Sequence, residues 1–256
     1  MSNGWENSAL AWIESMGEQG DRGDWGRQNV LDPVMMARVA KGGFRSALDV
    51  GCGEGRFCRM LGAAGVKPTG IDPTAQLLEV ARRRDPAGDY RLGRGEKLDF
   101  ADASFDLVVS YITLVDIPDF RAAICEMARV LKPGGSILIA NLTGFTSACA
   151  DRGWVKEGDG RHLHYPVDRY LDEFSFQLEW SGIRIENFHR PLSAYMSAFM
   201  ENGLALTYFA EPDAVSGAGV YRERHHRVPW FVVMEWQRPA TSAAKKAKAP
   251  RSAKST

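Results

Sequence analysis

Residues 47–57 read ALDVGCGEGRF and are the most informative segment of the sequence. An apolar run ends at Val50, three glycines then alternate with other residues, and a helical pattern begins at Arg56. Glycine is needed in such a turn where the backbone takes a positive φ or where a ligand must touch the main chain. The helix that follows offers free N–H groups to an anionic or electron-rich ligand atom. The stretch therefore predicts a strand, a ligand-binding turn and a helix.

The same rhythm of strand, turn and helix continues to about residue 142. Predicted strands cover 46–50, 68–71, 90–92, 105–111 and 136–142, and predicted helices cover 56–64, 74–84 and 120–131. Strands that alternate with helices form parallel sheets through right-handed crossovers. Two later strands, 204–209 and 230–236, are expected to form an antiparallel edge. The sequence thus predicts an α/β fold with a Rossmann-like, doubly wound, mostly parallel sheet.

The sequence predicts that the chain is divided into three regions. A helical cap is expected over residues 1–44, a main domain over 45–240 and a disordered basic tail over 241–256. The cap follows from apolar residues at helical spacing between Trp5 and Met16. The tail contains Ala, Lys, Ser and Pro but no large apolar residue, so it cannot bury surface.

An insertion is expected within the main domain, at about residues 143–191. Apolar residues alternate strictly with polar ones from Phe174 to Trp180, and alternation resumes after Ser181-Gly182, which is typical of a β-hairpin. Loops beyond the carboxyl ends of parallel strands build the ligand cleft. We therefore expect an inserted β-hairpin lid, the alternative being an edge hairpin that only adds core.

The charge distribution argues against nucleic acid as a partner. The net charge of the 256 residues is zero, but the tail carries five basic residues and no acid, so the remainder carries a net charge of minus five. Enzymes of nucleic acids carry positive charge on the folded surface. The absence of a secretion-signal pattern and of any long apolar run predicts a cytoplasmic protein with no membrane segment.

The chemistry of the glycine turn excludes two common cofactors. A dinucleotide turn needs a glycine where Arg56 stands, and a phosphate-binding loop needs the Gly-Lys-Ser/Thr sequence, which is absent. Asp49 would repel a phosphate but pair with an ammonium group. Asp72, at the end of the next strand, has the place of a ribose-binding acid. An amino group, a ribose and no phosphate are the features of S-adenosylmethionine.

Five motifs then carry a family resemblance. They are the turn D-x-G-x-G-x-G and the segments GID (70–72), GEKLDF (95–100), FDLV (105–108) and RVLKPGG (129–135). In this order they resemble class I S-adenosylmethionine-dependent methyltransferases, and within them the type 11 group, which is similar to the C-methyltransferases of ubiquinone and menaquinone biosynthesis. The resemblance covers residues 45–142 and identifies the main domain as a methyltransferase domain.

The resemblance implies roles for individual residues. Asp49 and the backbone of Gly51–Gly55 would hold the methionine part, Asp72 the ribose, and Gly95 with Glu96 the adenine. The full set of expected cofactor-binding residues is Asp49, Gly51, Cys52, Gly53, Gly55, Asp72, Pro73, Gly95, Glu96 and Ser110. Arg94 stands where the family often has an acid for the adenine amino group, and arginine cannot accept that hydrogen bond.

The sequence gives less information about the residues that bind the methyl acceptor. Tyr111, at the expected floor of the cleft, and His189, between the hairpin and a helix, are candidate catalytic residues. A neutral imidazole accepts a proton near neutral pH, although His189 is equally expected only to bond the backbone. His162, His164 and Asp159 have the spacing of a metal site, but exposed loop residues explain them better, and we predict no metal.

The predicted function is methyl transfer from S-adenosylmethionine to a small-molecule acceptor whose reacting atom is O, N or C. The segment 110–114 lacks the Asn/Asp-Pro-Pro-Tyr motif of base methylation, and no Pro-Cys pair is present for attack on cytosine. The alternative is a non-catalytic S-adenosylmethionine-binding sensor or partner subunit. A nucleotide-linked oxidoreductase is disfavoured by Arg56.

Overall fold

The computed structural model describes residues 4–18, 23–149 and 153–240. The helices are α1 (Trp5–Glu18), a π-helical turn (Arg27–Leu31), α2 (Asp32–Gly42), α3 (Arg56–Ala63), α4 (Ala75–Arg84), α5 (Phe120–Val130), α6 (Gly144–Ser147), α7 (Leu192–Glu201) and α8 (Val220–Arg227). The strands are β1 (Ser46–Val50), β2 (Lys67–Asp72), β3 (Asp89–Leu92), β4 (Phe105–Tyr111), β5 (Leu131–Leu142), β6 (Val155–Lys156), β7 (His162–His164), β8 (Phe174–Trp180), β9 (Ile183–His189), β10 (Ala205–Ala210) and β11 (Phe231–Gln237).

One seven-stranded sheet organises the described chain, in the order β10-β11-β5-β4-β1-β2-β3. Neighbours from β3 to β5 run parallel, whereas β11 runs antiparallel to both β5 and β10. The predicted Rossmann-like, mostly parallel sheet with an antiparallel edge is confirmed. The strand order reverses at β1, which has β2 on one side and β4 on the other. A crevice for a ligand opens at the carboxyl ends of the strands at such a point.

Helices cover both faces of the sheet, which explains why the consecutive apolar residues Leu107–Val109 of β4 are all buried. Val108 lies in a core with Ile124 of α5 and Phe199 of α7. Leu107, on the opposite face, lies in a second core with Met35 of α2. Successive side chains of a strand point to opposite faces of the sheet, and here both faces are buried. Burial of each large apolar side chain stabilises the fold by roughly 1.5–3 kcal/mol. The rigid centre of the sheet therefore fixes where β1 and β4 end.

Two differences from the predicted elements have physical reasons. β5 begins at Leu131 rather than at residue 136, because Leu131 pairs with Phe105 before the Pro133-Gly134-Gly135 segment interrupts the register. The helix α8 was missed because none of its residues is buried, so it has no apolar stripe to reveal it. The division into three regions stays a prediction, and residues 241–256 lie outside the described residues.

The predicted hairpin is present as β8 and β9, which pair antiparallel from Phe174–His189 to Trp180–Ile183. It forms its own two-stranded sheet beside the main one. β9 faces α1, and the Ser8 hydroxyl of α1 donates to the carbonyl oxygen of Arg184 in β9 at 2.9 Å. None of the described helices is both long enough and apolar enough to cross a membrane.

Candidate active site

A cavity that opens to solvent lies at the carboxyl ends of β1, β2 and β4. Two groups of residues line most of it. We call residues 49–54, 72–74 and 93–96 the glycine wall. We call Trp5, Trp12, Met16 and Arg27, together with the cavity-facing residues of 111–118, the aromatic wall. The first group follows successive strands of the sheet, whereas the second brings α1 against the segment after β4.

The glycine turn is held tightly against its neighbours. Gly51 and Gly53 have φ angles of 79° and 54°, which only glycine adopts without strain. The backbone N–H groups of Gly51 and Cys52 donate to the carbonyl oxygen of Ile71 at 2.8 and 2.9 Å. A Cβ atom on Gly51 would lie 2.1 Å from Cγ2 of Thr113. The turn therefore leaves its main chain exposed to the cavity and has no room for a side chain at Gly51.

Asp49 brings a buried carboxylate into this turn. Its side chain is 1% exposed, and Oδ2 accepts a hydrogen bond from the Cys58 thiol at 3.4 Å. Oδ1 has no hydrogen-bond partner among the described residues. Burial raises the pKa of Asp49 to about 7, and the negative charges of Asp72 and Glu54 act in the same direction. A buried anionic oxygen without a donor is a binding place for a cationic group.

Asp72, at the end of β2, faces the same cavity with both oxygens fixed. Oδ2 accepts from the N–H of Gly53 at 2.9 Å, and Oδ1 accepts from the N–H of Thr74 at 2.8 Å. Burial raises the pKa of Asp72, and these two backbone donors oppose that rise. Each oxygen keeps a lone pair, so the carboxylate can accept from two hydroxyl groups of a ligand.

Residues 93–96 close the far end of the glycine wall. Gly95 is buried, and a Cβ atom there would lie 3.0 Å from side-chain atoms of Val50 and Ile117. The Arg94 guanidinium donates to Oε1 of Glu96 at 3.3 Å, and both residues line the cavity. The carboxylate that this end offers to a ligand therefore comes from Glu96, two residues after the position where the family often has its acid.

Tyr111 lines the cavity, but its hydroxyl is already bonded. It donates to Oδ1 of Asp32 at 2.7 Å, and Asp32 also pairs with the guanidinium of Arg56. Burial, with the adjacent Asp32 charge, raises the pKa of Tyr111 well above its ordinary value. The phenol therefore stays neutral. The same network shows what Arg56 does at the position where a dinucleotide turn has glycine: it ties α3 to α2.

The aromatic wall contains an acid that the sequence analysis missed. Asp116 lines the cavity and is 8% exposed, and it accepts hydrogen bonds from the side chains of Asn187 and Trp5. Burial raises the pKa of Asp116 to about 8. Trp5 packs edge-on against Trp12 at 5.4 Å between ring centroids. Asp116 was detectable in principle, because it follows β4 at the edge of the sheet where ligand-binding residues collect.

His189 does not face the cavity, so the orientation expected of a catalytic base is wrong. Its side chain is 0% exposed, and its ring nitrogens lie 2.7 Å from the Ser147 hydroxyl and 2.9 Å from the carbonyl oxygen of Tyr170. Nε2 must carry the proton, since the carbonyl can only accept. This ring joins β9 to α6 and to the segment before β8.

Two expected cofactor-binding residues also lie off the cavity lining. Ser110 is fully buried within β4, beside the Ile139 position of β5. Gly55 begins α3 with a φ of 80°, and a Cβ atom on it would lie 2.7 Å from the Tyr90 hydroxyl. The other eight lie on the cavity: Asp49, Gly51, Cys52, Gly53, Asp72, Pro73, Gly95 and Glu96.

The hairpin does not act as the expected lid, because no described residue of β8 or β9 lines the cavity. It supports the aromatic wall from behind instead. The N–H of Phe188 donates to the carbonyl oxygen of Val115 at 2.8 Å. The buried Arg190 guanidinium donates to the carbonyl oxygens of Leu114, Ile117 and Pro118 at 2.8, 2.6 and 2.8 Å. Among the described residues, His162, His164 and Asp159 do not form a metal-binding group.

Comparison with known proteins agrees with this fold and site. Residues 48–139 match the family described as a methyltransferase domain, of the type 11 group. A solved S-adenosylmethionine-dependent methyltransferase from Mesorhizobium loti superposes with a TM-score of 0.73, at 26% identity, over 86% of this chain and 100% of that one. The described fold is the Rossmann-like fold of S-adenosylmethionine-dependent methyltransferases. Residues 48–139 match the type 11 methyltransferase domain, so the predicted fold and the predicted family resemblance are confirmed for that segment, and the predicted cofactor class agrees with that of the solved neighbour.

Curated relatives resemble part of the chain. A malonyl-[acyl-carrier protein] O-methyltransferase of Serratia marcescens is 35% identical over 46% of this chain and 46% of its own length. A demethylmenaquinone methyltransferase of Tropheryma whipplei is 35% identical over 38% of this chain and 41% of its own length. The chain thus spans about half the length of these relatives.

Proposed function

We propose that this protein transfers a methyl group from S-adenosylmethionine to a small-molecule acceptor in the cytoplasm. The observation that carries the proposal is Oδ1 of Asp49, which has no hydrogen-bond partner among the described residues and lies in the same cavity as the carboxylate of Asp72. A buried carboxylate oxygen without a donor costs free energy unless a ligand supplies a cation. The ammonium group of the cofactor's methionine part is such a cation.

Each part of the glycine wall suits one part of that cofactor. Asp49 would accept from the ammonium group, and the exposed main chain of Gly51–Gly53 would lie along the methionine part. Asp72, fixed by the N–H groups of Gly53 and Thr74, would accept from the two ribose hydroxyls. Gly95 would lie beside the adenine ring, and Glu96 would offer an acceptor to its amino group. Cys52 and Pro73 would pack beside the ligand.

When bound, S-adenosylmethionine supplies an electrophilic methyl group on a positively charged sulfur. The chain's own contribution is to hold the acceptor in line with that group and to limit the access of water. Positioning of this kind lowers a bimolecular barrier by up to about 7–11 kcal/mol. The aromatic wall is suited to this task, because Trp5, Trp12 and Met16 offer apolar surface to an acceptor.

The acceptor is proposed to be small and not a nucleic acid. The chain outside the basic tail has a net charge of minus five, and several carboxylates line the cavity. The phosphates of a nucleic acid would be repelled by both. The relatives are named for malonyl-[acyl-carrier protein] and for demethylmenaquinone, so acceptors of related proteins differ widely in chemistry.

A labelling experiment tests this function against the sensor alternative. The purified protein is incubated with methyl-labelled S-adenosylmethionine and, separately, with the small-molecule, nucleic-acid and protein fractions of a cell extract. Label is expected in a product of the small-molecule fraction. Recovery of unchanged S-adenosylmethionine with every fraction would support a non-catalytic sensor, and label in nucleic acid would contradict the proposed acceptor class. An Asp72→Ala variant, expected to bind the cofactor weakly, controls for contaminating enzymes.

A further inference from the structure

Asp116 is the acid of the aromatic wall, and it is built into the cavity by three separate segments. Its own segment leaves β4, Trp5 reaches it from α1, and Asn187 reaches it from β9. Both partner side chains donate hydrogen bonds to it, and a donor favours the ionised carboxylate. Asn187 is itself buried. Such an arrangement directs one carboxylate at the cavity and limits its rotation.

The backbone around Asp116 is held as firmly as its side chain. The guanidinium of Arg190 binds three carbonyl oxygens of residues 114–118, and the N–H of Phe188 binds a fourth. Arg190 also stacks on the rings of Phe120 and Phe188 at 4.4 and 4.8 Å. A buried arginine with three hydrogen bonds to the carbonyls of one loop indicates that the position of this loop matters.

Strain at the start of the same loop points to function as well. Ile112 has a φ of 55°, a left-handed conformation that is costly for a β-branched residue. Its N–H is fixed by the carbonyl oxygen of Ala140 at 2.7 Å. Strained residues persist where the surrounding structure enforces them, and they cluster at functional sites. The strained turn directs residues 112–118 across the cavity mouth.

The charges around Asp116 leave it poised between its two protonation states near neutral pH. Burial and the negative charge of Asp72 raise its pKa, and the positive charge of Arg27 lowers it. Arg190 is bound to the carbonyls of the same loop, and the residues that face Asp116 from α1 and β9, Trp5 and Asn187, are neutral. A proton acceptor works best when its pKa lies near the working pH.

We propose, resting on the function proposed above, that Asp116 accepts the proton of the acceptor atom that becomes methylated. The acceptor then reaches the cavity with a proton on its nucleophilic atom, as a hydroxyl or phenol does, rather than as a carboxylate. A lone pair of that atom forms the bond to the methyl carbon, the electrons of the carbon–sulfur bond leave with sulfur, and the proton passes to the carboxylate of Asp116. The balance needs no further reactant.

Proton counting by calorimetry tests the position of Asp116 without any acceptor. S-Adenosylmethionine and S-adenosylhomocysteine both carry the ammonium group that Asp49 would bind, but only the first carries a positive sulfur. Binding enthalpies at pH 7.5 in two buffers of different ionisation enthalpy give the protons released by each ligand. S-Adenosylmethionine is expected to release about half a proton more, because its sulfonium favours the ionised carboxylate nearby.

Three variants test whether Asp116 is the source of this difference in proton release. Asp116→Asn should abolish it, and Asp119→Asn, three residues further along and exposed at the start of α5, should leave it unchanged. Asn187→Ala removes a donor to the carboxylate and so should raise the pKa of Asp116. The difference in proton release between the two ligands should then appear at higher pH. An equal difference in Asp116→Asn and the native protein, or no difference in the native protein, would overturn the inference. Failure of both ligands to bind would instead contradict the proposed function itself.

The stability of the labelled product tests the acceptor class. Methyl esters, which arise from carboxylate acceptors, release labelled methanol in dilute alkali, whereas products methylated at a hydroxyl or phenol oxygen retain the label. Retention is expected. Release of volatile label would show that the acceptor arrived ionised and needed no base, which would contradict the role of Asp116 while leaving the methyltransferase function intact.

Discussion

The two walls of the cavity are built in different ways. The glycine wall is held by backbone hydrogen bonds between neighbouring strands, such as those from Gly51 and Cys52 to Ile71. The aromatic wall is held by side chains from distant parts of the chain, above all Asn187 and Arg190 against residues 114–118. One wall is therefore a property of a short local motif, and the other exists only after α1, β4 and β9 have come together. We expect mutations in the two walls to separate cofactor binding from acceptor chemistry.

The largest effect is expected from Gly51→Ala. A methyl group there meets Thr113 at 2.1 Å and forces alanine into a φ of 79°. Strain and overpacking together are expected to lower the free energy of unfolding by about 4 kcal/mol, and the remaining folded protein should bind S-adenosylmethionine at least tenfold more weakly. Chemical denaturation and calorimetry measure both.

Gly43→Ala is the matched control for that variant. Gly43 has a φ of 63° at the end of α2, but no atom lies within 4 Å of its Cβ position. Backbone strain alone should lower its free energy of unfolding by about 1–2 kcal/mol, and its cofactor affinity should not change. Equal losses in the two variants would show that the close approach of Thr113 is unimportant.

Arg190→Met is expected to have the next largest effect, on the other wall. It leaves three carbonyl oxygens without their donor, two of them in buried hydrogen bonds, and is expected to lower the free energy of unfolding by about 3 kcal/mol. Affinity for S-adenosylmethionine should remain within a factor of about three, because the glycine wall does not depend on Arg190.

The control for Arg190 is Arg121→Met. Arg121 stacks on the same Phe120 ring at 4.4 Å, but its side chain is exposed and pairs with Glu173 at the surface. Its loss should cost less than about 1 kcal/mol. A collapse of cofactor affinity in Arg190→Met would show that the two walls are one cooperative unit.

Asp49→Asn should have a smaller effect, and it should raise rather than lower the free energy of unfolding. The pKa of Asp49 is raised to about 7 in the folded protein, against about 3.8 in the unfolded chain. The unfolded chain therefore loses this proton first, and the cofactor-free protein loses stability as the pH rises from about 4 to 7. Asn removes this loss, so the variant should be more stable than the native protein at pH 7.5 and should bind S-adenosylmethionine more weakly. Thermal unfolding at pH 5 and 7.5 measures the change, and a destabilised variant at pH 7.5 would contradict it.

The same contrast explains what could be predicted from the sequence. The glycine wall was predictable because alternating glycines, Asp49 and Asp72 occupy strand ends that are neighbours in any parallel α/β sheet. The hairpin was predictable from alternation alone. The contacts of Asp116 with Trp5 and Asn187 were not predictable, because they depend on how α1 and β9 pack. His189 was misplaced for the same reason: its position between two elements was correct, but its ring turned toward Ser147 and Tyr170.

The smallest effect is expected from deletion of residues 241–256, which lie outside the described residues. The segment has no large apolar side chain and so cannot stabilise the fold by burial. The melting temperature and the cofactor affinity should both be unchanged within error. A clear drop in either would mean that the basic residues contact one of the walls.

The most direct measurement is a calorimetric titration of the native protein with S-adenosylmethionine, S-adenosylhomocysteine and NAD. Binding of both sulfur ligands at one site per chain, with no heat from NAD, is the predicted result, because Asp49 offers a place for an ammonium group and repels a pyrophosphate. Binding of NAD, or no heat from either sulfur ligand, would contradict the assignment of the glycine wall to S-adenosylmethionine.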